Sequence, residues 1–310
     1  FNAWNTWKYK LIKHTTFNFE NTYANLPETF YQKINPSPVK NPKLIEINEE
    51  LLDYFKIDLK FIKSKEGVSV LSGNKIVEGS KPIAMAYAGH QFGNFVHQLG
   101  DGRAVLLGEI ISKDGLRFDL QLKGSGKTLF SRSGDGRAPL APVIREYIVS
   151  EAMHYLGVPT SRSLAIVSSG ESVQRETIEP GGILARVSSS HIRIGTFEFF
   201  HAKKDNKSLK ILADYTIERH YPEILSTKNI YNSLLKEVIK SQAKLVSKWM
   251  NLGFIHGVIN TDNTSISGET LDYGPCAFMN NYDPETVYSY IDLNGRYKYG
   301  NQPQIVFWNL

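Results

Sequence analysis

The sequence predicts an α+β fold in which a strand-rich part precedes a helical part. Between residues 87 and 123, apolar and polar residues alternate in short runs bounded by glycine, which is typical of strands and hairpins. Apolar residues instead recur at helical spacing in residues 142–156 and 234–250. Because 41% of the 310 residues are hydrophobic, the chain can bury enough apolar surface for two lobes. We therefore expect one lobe of strands followed by one lobe of helices.

The composition favours a globular protein with a mixed, solvated surface. The 36 Lys and Arg residues are scattered among 31 Asp and Glu residues, which favours such a surface over a nucleic-acid interface. Cys276 is the only cysteine, so no disulfide or Cys-based zinc cluster can form within this sequence, as suits a reducing compartment. Neither an apolar run of about 18 residues nor a signal-peptide pattern is present. We expect a monomer that binds neither nucleic acid nor a membrane and that lies in the cytoplasm, or in mitochondria in a eukaryote.

Three segments differ in their sequence texture. Residues 1–83 mix aromatic residues, Asn and Pro around one short helical pattern capped by Asn48, and we expect an N-terminal extension that packs on the core. Residues 84–187 form the predicted strand-rich lobe, and residues 188–310 form the helical lobe. The sequence begins without Met and ends at Leu310 without a polar tail, so we expect both ends to be fragment boundaries.

A predicted hairpin carries a candidate phosphate-binding lysine. Asp114-Gly115 is a hairpin turn signal, and side chains of the strand that follows alternate between two faces. Lys123 lies on the polar face of this strand. It is either a phosphate-binding residue or an exposed lysine on an edge strand. The apolar face holds Phe118, Leu120 and Leu122, and the polar face holds Asp119, Gln121 and Lys123.

Two nucleotide-binding motifs near this lysine fail on their spacing. Residues 124–128, GSGKT, end like a P-loop, but Gln121 stands where the first glycine is required. The dinucleotide fingerprint fails because Val105 replaces its third glycine after Gly100 and Gly102. Neither a P-loop NTPase nor a Rossmann oxidoreductase is supported.

An amphipathic helix is predicted from Pro142, a favourable first position, up to Gly157, which ends it. Glu146 lies in its second turn, where the corresponding glutamate of protein kinases holds the strand lysine against the phosphates. Glu151 is a competing candidate for that role. An ordinary surface glutamate is the alternative for both.

Two arginines flank a polar turn after the next strands. The pattern predicts a strand at 164–167, a turn at 168–170 and a second strand ending in 183–187. Arg186 and Arg193 then flank a serine-rich turn, and their planar guanidinium groups suit bidentate contacts with phosphate oxygens. Surface charges are the alternative interpretation.

The stretch after the predicted helix at 234–250 resembles the catalytic loop of kinases. Small-molecule kinases often have the pattern H-G-D-x-x-x-x-N, which His256, Gly257 and Asn263 fit. Val258 does not fit, because it occupies the position of the catalytic Asp and can neither accept a proton nor hold a metal. The predicted nucleotide and metal site therefore lacks the usual base of phosphotransfer.

Asn263 and Asp272 are the candidate metal ligands. They flank a turn at Ser267-Gly268, and amide and carboxylate oxygens suit Mg²⁺ or Mn²⁺ held jointly with phosphate. Asp262 has no metal role in this pattern and is placed to accept the proton of an attacking hydroxyl, with turn capping as the alternative. Because strands, lysine, helix and metal loops follow the order found in protein kinases, we expect a protein-kinase-like two-lobe fold.

Longer segments around these residues resemble a known family. The segments are AYAGHQFGNFVHQLGDGRAVLLGEI, DLQLKGSGKTLFSRSGDGRAPLAPVIREYIVSEAMHYLGVPTSRSLAIV, ILARVSSSHIRIGTFEFF, HGVINTDNTSISGETLDYGPCAFM and QPQIVFWNL. From Ala84 to Leu310 the chain is similar to the selenoprotein O family of pseudokinase-fold protein adenylyltransferases. This family is known for binding ATP in an inverted orientation, so that AMP passes to Ser, Thr or Tyr hydroxyls of protein substrates and pyrophosphate leaves. Some members transfer UMP with Mn²⁺.

The resemblance implies a role for each candidate residue. Asp262 would be the proton acceptor, and Asn263 and Asp272 would bind Mg²⁺ or Mn²⁺. Lys123 would bind phosphate and pair with Glu146. The other nucleotide contacts that the resemblance implies are Gly100, Gly102, Arg103, Asp135, Gly136, Arg186 and Arg193.

The resemblance also implies features that this sequence does not contain. Family members usually continue past the WNL segment, here ending at Leu310, into a further helical region. Some carry a C-terminal Cys or selenocysteine that pairs with the Cys after the DYG loop, here Cys276. A kinase-type phosphotransferase and an inactive nucleotide-binding scaffold are the alternative functions. Val258 argues against the first, and the retained Lys123 and Asp262 argue against the second.

Overall fold

The computed structural model describes residues 17–310, which have the predicted mixture of strands and helices. Among these residues, none of the helices combines the length and the apolar character that crossing a membrane requires. The strands are β1 (Phe19–Glu20), β2 (Tyr31–Lys33), β3 (Lys43–Ile47), β4 (Ile83–Met85), β5 (Gly89–Gln91), β6 (Asn94–Val96), β7 (Ala104–Ile111), β8 (Arg117–Lys123), β9 (Ala138–Pro139), β10 (Arg162–Gln174), β11 (Ile178–Ser188), β12 (Phe254–Ile255) and β13 (Ala277–Phe278). The helices are α1 (Glu49–Tyr54), α2 (Leu59–Lys63), α3 (Lys65–Leu71), α4 (Leu140–Tyr155), α5 (Ile194–Ala202), α6 (Asn206–His220), α7 (Ile230–Leu252) and α8 (Gln302–Asn309).

The chain divides into two compact units. The boundaries predicted at 83/84 and 187/188, and the kinase-like arrangement of two lobes, stay predictions. Among the described residues, the first unit comprises 17–85, Gly102–Ile144 and Ser163–Val187, and the second comprises Ala86–Asp101, Arg145–Arg162 and Ser188–Leu310.

A large antiparallel sheet forms the centre of the first unit. Its strand order is β2-β4-β7-β8-β11-β10-β3, with β1 paired to β7 and β9 paired to β11. The β7–β8 hairpin is the predicted one, with Ala104 opposite Lys123 and Ile111 opposite Arg117. Gly115 in its turn takes a φ of +79°, a conformation that glycine adopts without strain. Lys123 therefore projects from a strand in the middle of the sheet.

The apolar side of this sheet is covered by three short helices. Asn48 caps α1 as predicted, because its Oδ1 accepts a hydrogen bond from the amide of Leu51 at 3.1 Å. The helices of residues 49–71 pack with the strands in the hydrophobic core of the unit. The shared buried cluster includes Leu51, Leu52, Phe61, Ile62, Val70, Leu71, Leu120, Leu122, Leu164 and Val167.

Strand β10 is longer than the sequence predicts. The turn expected at 168–170 is wrong, since β10 continues to Gln174 and pairs with β3, which places Ser168 opposite Lys43. Gly170 takes a φ of +70° inside the strand, so it serves an irregular strand position and not a chain reversal. The pairing with β3, a strand remote in sequence, overrides the local turn signal.

Helices dominate the second unit. Helix α7 matches the predicted helix, and Gly253 ends it with a left-handed φ of +65°. Residues of α7 pack with β12 in a second buried cluster, to which Leu245, Trp249 and Phe254 belong. The loops that follow α7 are thereby attached to a helix with a buried apolar face.

Helix α4 begins at Leu140, slightly before the predicted start. Pro142 consequently lies in the first turn, where the backbone amide has no partner within the helix and proline is tolerated.

Candidate active site

The loop that follows α7 is organised by the buried side chain of His256. Its Nε2 donates a hydrogen bond to the carbonyl oxygen of Leu271 (2.9 Å), and its Nδ1 accepts one from the amide of Val258 (3.3 Å). Gly257, between these contacts, takes a φ of +82°. His256 therefore joins the segment that leads to the candidate base to the segment that carries the candidate metal ligand Asp272.

Asp262, the candidate base, lies in a short 3₁₀ turn and is 7% exposed. Its Oδ2 accepts a hydrogen bond from Nε2 of Gln91 (3.1 Å), whereas Oδ1 has no hydrogen-bond partner among the described residues. Burial raises the pKa of the Asp262 carboxyl, against the opposing effects of the Gln91 hydrogen bond and the Arg193 charge. A buried carboxylate of raised pKa is suited to accept a proton.

Asn263 is oriented by the residue that replaces the kinase base. Its Nδ2 donates a hydrogen bond to the carbonyl oxygen of Val258 (3.0 Å). Because the amide nitrogen makes this bond, the plane of the amide is set and its oxygen is left for another partner. Val258 thus contributes to the site through its backbone.

Asp272 is held by a buried arginine. Nη1 of Arg193 donates to Oδ2 of Asp272 and to the carbonyl oxygen of Asp262, and the guanidinium carbon lies 4.8 Å from the ring centroid of Tyr87. Arg193 is 2% exposed, so its interpretation as a surface charge is wrong. Asp272 has a φ of +58°, a left-handed conformation that Asp adopts more readily than most residues. Arg193 therefore ties the candidate ligand to the loop of the candidate base.

The donor atoms of Asn263 and Asp272 fit Mg²⁺ or Mn²⁺. Both side chains offer hard oxygen ligands, which these cations prefer. Within residues 17–310, no group of three or more His, Cys, Asp and Glu side chains could hold a metal ion. A cation bound by these two residues would complete its coordination with water and phosphate oxygens, which is how Mg²⁺ is usually held in nucleotide sites.

In the first unit, Lys123 and Arg186 lie on the neighbouring strands β8 and β11. They are 8% and 2% exposed, so the interpretations as an edge-strand lysine and a surface arginine are wrong. The reason is that β8 is a central strand, whose polar face is buried together with its apolar face. Gln121, on the same face as Lys123, accepts hydrogen bonds from Nε (3.0 Å) and Nη2 (2.7 Å) of Arg186. These two hydrogen bonds orient the guanidinium of Arg186.

The tetrapeptide Gly-Asp-Gly-Arg occurs twice, at residues 100–103 and 134–137, and the first copy requires its glycines. Gly100 takes a φ of +88°, and a Cβ on Gly102 would lie 2.8 Å from the carbonyl oxygen of Phe130. The carbonyl oxygen of Arg103 accepts a hydrogen bond from the amide of Gly124 (2.7 Å). Gly102 therefore permits a close approach of its backbone to that of Phe130.

The second such segment is anchored by an ion pair that the sequence did not predict. Asp135 pairs with Nη1 and Nη2 of Arg175 (2.9 and 3.1 Å), and the hydrogen bond from Arg175 holds the pKa of Asp135 below its ordinary value. Gly136 takes a φ of +70°, and a Cβ there would lie 2.1 Å from the carbonyl carbon of Gly126. The roles of Asp135 and Gly136 as nucleotide contacts stay predictions.

The two glutamate candidates on α4 differ in their contacts. Its competitor Glu151 is engaged by Arg162, whose Nη2 lies 2.6 Å from Oε2 and whose Nε lies 2.9 Å from Oε1. Glu146 is buried and is not part of that pair. The expected pairing of Glu146 with Lys123 stays a prediction.

The sequence analysis assigned no role to Tyr87 and Gln91, which contact Arg193 and the candidate base Asp262. A signal was present, because a run such as HQFGN places polar residues beside glycine at positions where an alternating strand needs apolar ones.

The candidate site has the composition expected of a nucleotide-dependent transferase. The model of the family described as protein adenylyltransferase SelO matches residues 13–310, so the chain belongs to this family, as the sequence predicted. The protein nucleotidyltransferase YdiU of Nitrobacter hamburgensis is 60% identical over 292 residues, which cover 94% of this chain and 58% of that protein. YdiU of Bacillus cytotoxicus is 58% identical over 298 residues, which cover 96% and 60%, respectively. The chain thus spans about three fifths of the length of these curated relatives.

Proposed function

We propose that the chain carries the catalytic site of a protein nucleotidyltransferase. It would transfer AMP from ATP, or UMP from UTP, to Ser, Thr or Tyr hydroxyls of proteins and release pyrophosphate. The observation that carries the proposal is the buried carboxylate of Asp262 next to Asn263, in a loop where Val258 replaces the base of kinases. Membership of the family and the names of the relatives support the same activity. Because the chain spans about three fifths of those relatives, the activity of the whole protein is part of the proposal.

The proposed architecture is a protein-kinase-like fold of two lobes. The first unit supports it with a sheet that carries Lys123 on a central strand. The second unit supports it with helix α7 followed by the loops of Asp262 and Asp272. The order of these parts along the chain is that of protein kinases.

In the proposed reaction a protein hydroxyl attacks the α-phosphorus of the nucleotide. Asp262 accepts the hydroxyl proton as the new oxygen–phosphorus bond forms. The bond from the α-phosphorus to the oxygen that bridges to the β-phosphorus breaks, and pyrophosphate leaves with the electron pair. The raised pKa of Asp262 brings its basicity closer to the working pH, which makes proton acceptance more effective.

The proposed metal is Mg²⁺ or Mn²⁺, held by Asn263 and Asp272 together with phosphate oxygens. Such an ion supplies positive charge that stabilises the phosphates and the leaving pyrophosphate. The contact between Arg193 and Asp272 orients the carboxylate. The nucleotide would complete the proposed ligand set.

The proposed nucleotide contacts combine charged side chains with close-packed backbone. Lys123 and Arg186 are buried cations on neighbouring strands, where a phosphate contact is stronger than at an exposed site. Glu146 would orient Lys123. The remaining proposed contacts are Gly100, Gly102, Arg103, Asp135, Gly136 and Arg193.

The proposal is tested by following the α-phosphate and the γ-phosphate of ATP separately. The chain is incubated with Mn²⁺ or Mg²⁺ and a protein acceptor, in parallel with ATP labelled at the α-phosphate and at the γ-phosphate. Retention of the α label without the γ label on the protein is expected. Retention of the γ label alone would instead show a kinase, and retention of neither label would leave a nucleotide-binding scaffold. Asp262→Asn is the control, in which the rate of α-label transfer should fall by about 10²–10⁴-fold.

A further inference from the structure

The loop of Asp262 is held along its length by three consecutive residues of strand β5 and its turn. The amide of His90 donates to Oγ1 of Thr261 (2.7 Å), and Nε2 of Gln91 donates to Oδ2 of Asp262 (3.1 Å). The amide of Phe92 donates to the side-chain oxygen Oδ1 of Asn260 (3.2 Å). The β5–β6 hairpin thus contacts each residue from 260 to 262.

Side chains from two further elements lock the hairpin and this loop together. Oε1 of Glu198, on α5, lies 2.6 Å from Nδ1 of His90, and Oε2 of Glu198 accepts a hydrogen bond from Oγ1 of Thr261. The hydroxyl of Tyr297 donates to Oδ1 of Asn260 and accepts from the amide of Phe92 (3.1 Å). Each end of the three-residue contact is therefore bridged by a third side chain, so that the position of β5 determines the position of the loop.

The approach of β5 to Asp262 leaves no room for a side chain at its first residue. A Cβ on Gly89 would lie 2.6 Å from Oδ1 and 2.8 Å from Cβ of Asp262. One side of the carboxylate is thus against the backbone of Gly89, and the other oxygen is bonded to Gln91. An Asp side chain turns easily about its terminal bond, so such a donor is what selects one orientation of the carboxylate.

We propose that Gln91 is a positioning residue that sets the orientation of the Asp262 carboxylate for proton acceptance. The inference rests on the proposed function, in which Asp262 accepts the proton of the protein hydroxyl. Gln91 suits the role because its amide donates a hydrogen bond without adding a charge, so the carboxylate keeps its negative charge. A lysine or arginine at the same place would neutralise the base.

The proposal predicts a loss confined to the chemical step. Gln91→Met keeps the length of the side chain and removes the donor, so kcat for α-label transfer should fall about 10–100-fold, as expected for a misplaced catalytic group. Gln91→Glu replaces the donor by a negatively charged oxygen, and kcat should fall further in this variant. In both variants the KM for the nucleotide and the metal concentration for half-maximal rate should stay within about twofold of wild type, because Gln91 contacts neither ligand in the proposed site. The melting temperature shows whether the fold is retained.

Matched variants separate positioning from a general effect on the fold. Gln98→Met makes the same change at an exposed glutamine outside the contact and should leave kcat unchanged. Gly89→Ala displaces the carboxylate from its other side and should lower kcat, which keeps the idea testable if the Gln91 variants unfold.

The outcomes distinguish this inference from the proposed function. Loss of kcat in Gln91→Met with unchanged KM supports the positioning role. Wild-type kcat in Gln91→Met, together with the expected loss of kcat in Asp262→Asn, overturns the positioning role and leaves the proposed function standing. A rise in the nucleotide KM by the same factor as the loss in kcat also overturns the positioning role, because such a pattern indicates a general structural effect. Full activity of Asp262→Asn overturns both.

Discussion

The guanidinium of Arg193 donates a hydrogen bond to the carboxylate of Asp272 and, through the same nitrogen, to the backbone carbonyl of Asp262. One buried cation thereby couples the candidate metal ligand to the loop of the candidate base. A change at Arg193 is consequently expected to affect folding stability as well as catalysis.

Replacement of Arg193 by Met should lower the free energy of unfolding by about 2–3 kcal/mol, because Asp272 and the Asp262 carbonyl lose their donor. We expect a smaller loss of unfolding free energy than for a fully buried ion pair, because the Asp272 side chain is 19% exposed. Equilibrium unfolding in urea measures it. Arg145→Met, at an exposed position of α4, is the control and should change the stability by less than about 0.5 kcal/mol. Equal stabilities of the two variants would show that the buried pair does not stabilise the fold.

Lys123→Met should weaken ATP binding. A charge-assisted contact with phosphate contributes about 1.5–3 kcal/mol, which corresponds to a rise in Kd of about 10–150-fold. Calorimetric titration with ATP measures the change, and Lys127→Met, at an exposed lysine four residues along the chain, is the matched control. An ATP affinity equal to that of the control would mean that Lys123 is buried for a structural reason alone.

Asn263 and Asp262 should differ in their response to metal. Chelation of divalent cations should abolish transfer, and Asn263→Ala should raise the Mg²⁺ or Mn²⁺ concentration needed for half-maximal rate. Asp262→Asn should keep that concentration near wild type and lower kcat by about 10²–10⁴-fold, the usual range for loss of a general base. Titration of each metal against the rate of α-label transfer compares the variants. The same shift in metal dependence for both would identify Asp262 as a ligand and not a base.

Glu269 should make the folding stability depend on pH. Its carboxylate accepts hydrogen bonds from Oγ of Ser188 (2.5 Å) and from the amide of Ser189 (3.1 Å), but loss of hydration outweighs these contacts and raises its pKa. The folded state then binds this proton more tightly than the unfolded state does. The resulting stabilisation is fully present below the ordinary carboxyl pKa and is lost as the pH rises through the raised folded pKa.

Wild type should accordingly gain stability relative to Glu269→Gln as the pH is lowered from about 8 to about 5. Urea unfolding of both proteins at several pH values measures the difference. A difference that is constant with pH would show that Glu269 has the same pKa in the folded and unfolded states.

Features that depend on neighbouring residues in the sequence could be predicted. The helical spacing in 234–250 and the glycine that follows predicted α7 and its end at Gly253. The Asp114-Gly115 turn and the alternation after it predicted the β7–β8 hairpin and placed Lys123 on one face with Gln121. Capping of α1 by Asn48 was predicted on the same local grounds.

Features that depend on distant residues could not be predicted. Pairing of β10 with β3 removed the turn expected at 168–170. The position of β8 in the middle of the sheet buried Lys123, which the sequence alone left as either a binding residue or a surface lysine. The ion pair between Asp135 and Arg175 could not be predicted, because the two residues are brought together by the fold and not by their spacing along the chain.

The sequence by itself determined the chemistry that is available to this protein. It placed Val258 where kinases have their base, candidate oxygen ligands at Asn263 and Asp272, and a neighbouring carboxylate at Asp262, because these are matters of residue type and order. Only the tertiary structure decided what surrounds these groups. The burial that raises the pKa of Asp262, the guanidinium of Arg193 on Asp272 and the amide of Gln91 on Asp262 all come from segments that are remote in sequence and adjacent in space. Hydration and hydrogen bonding set the properties of a charged group, and both are determined by which remote segments the fold places around it.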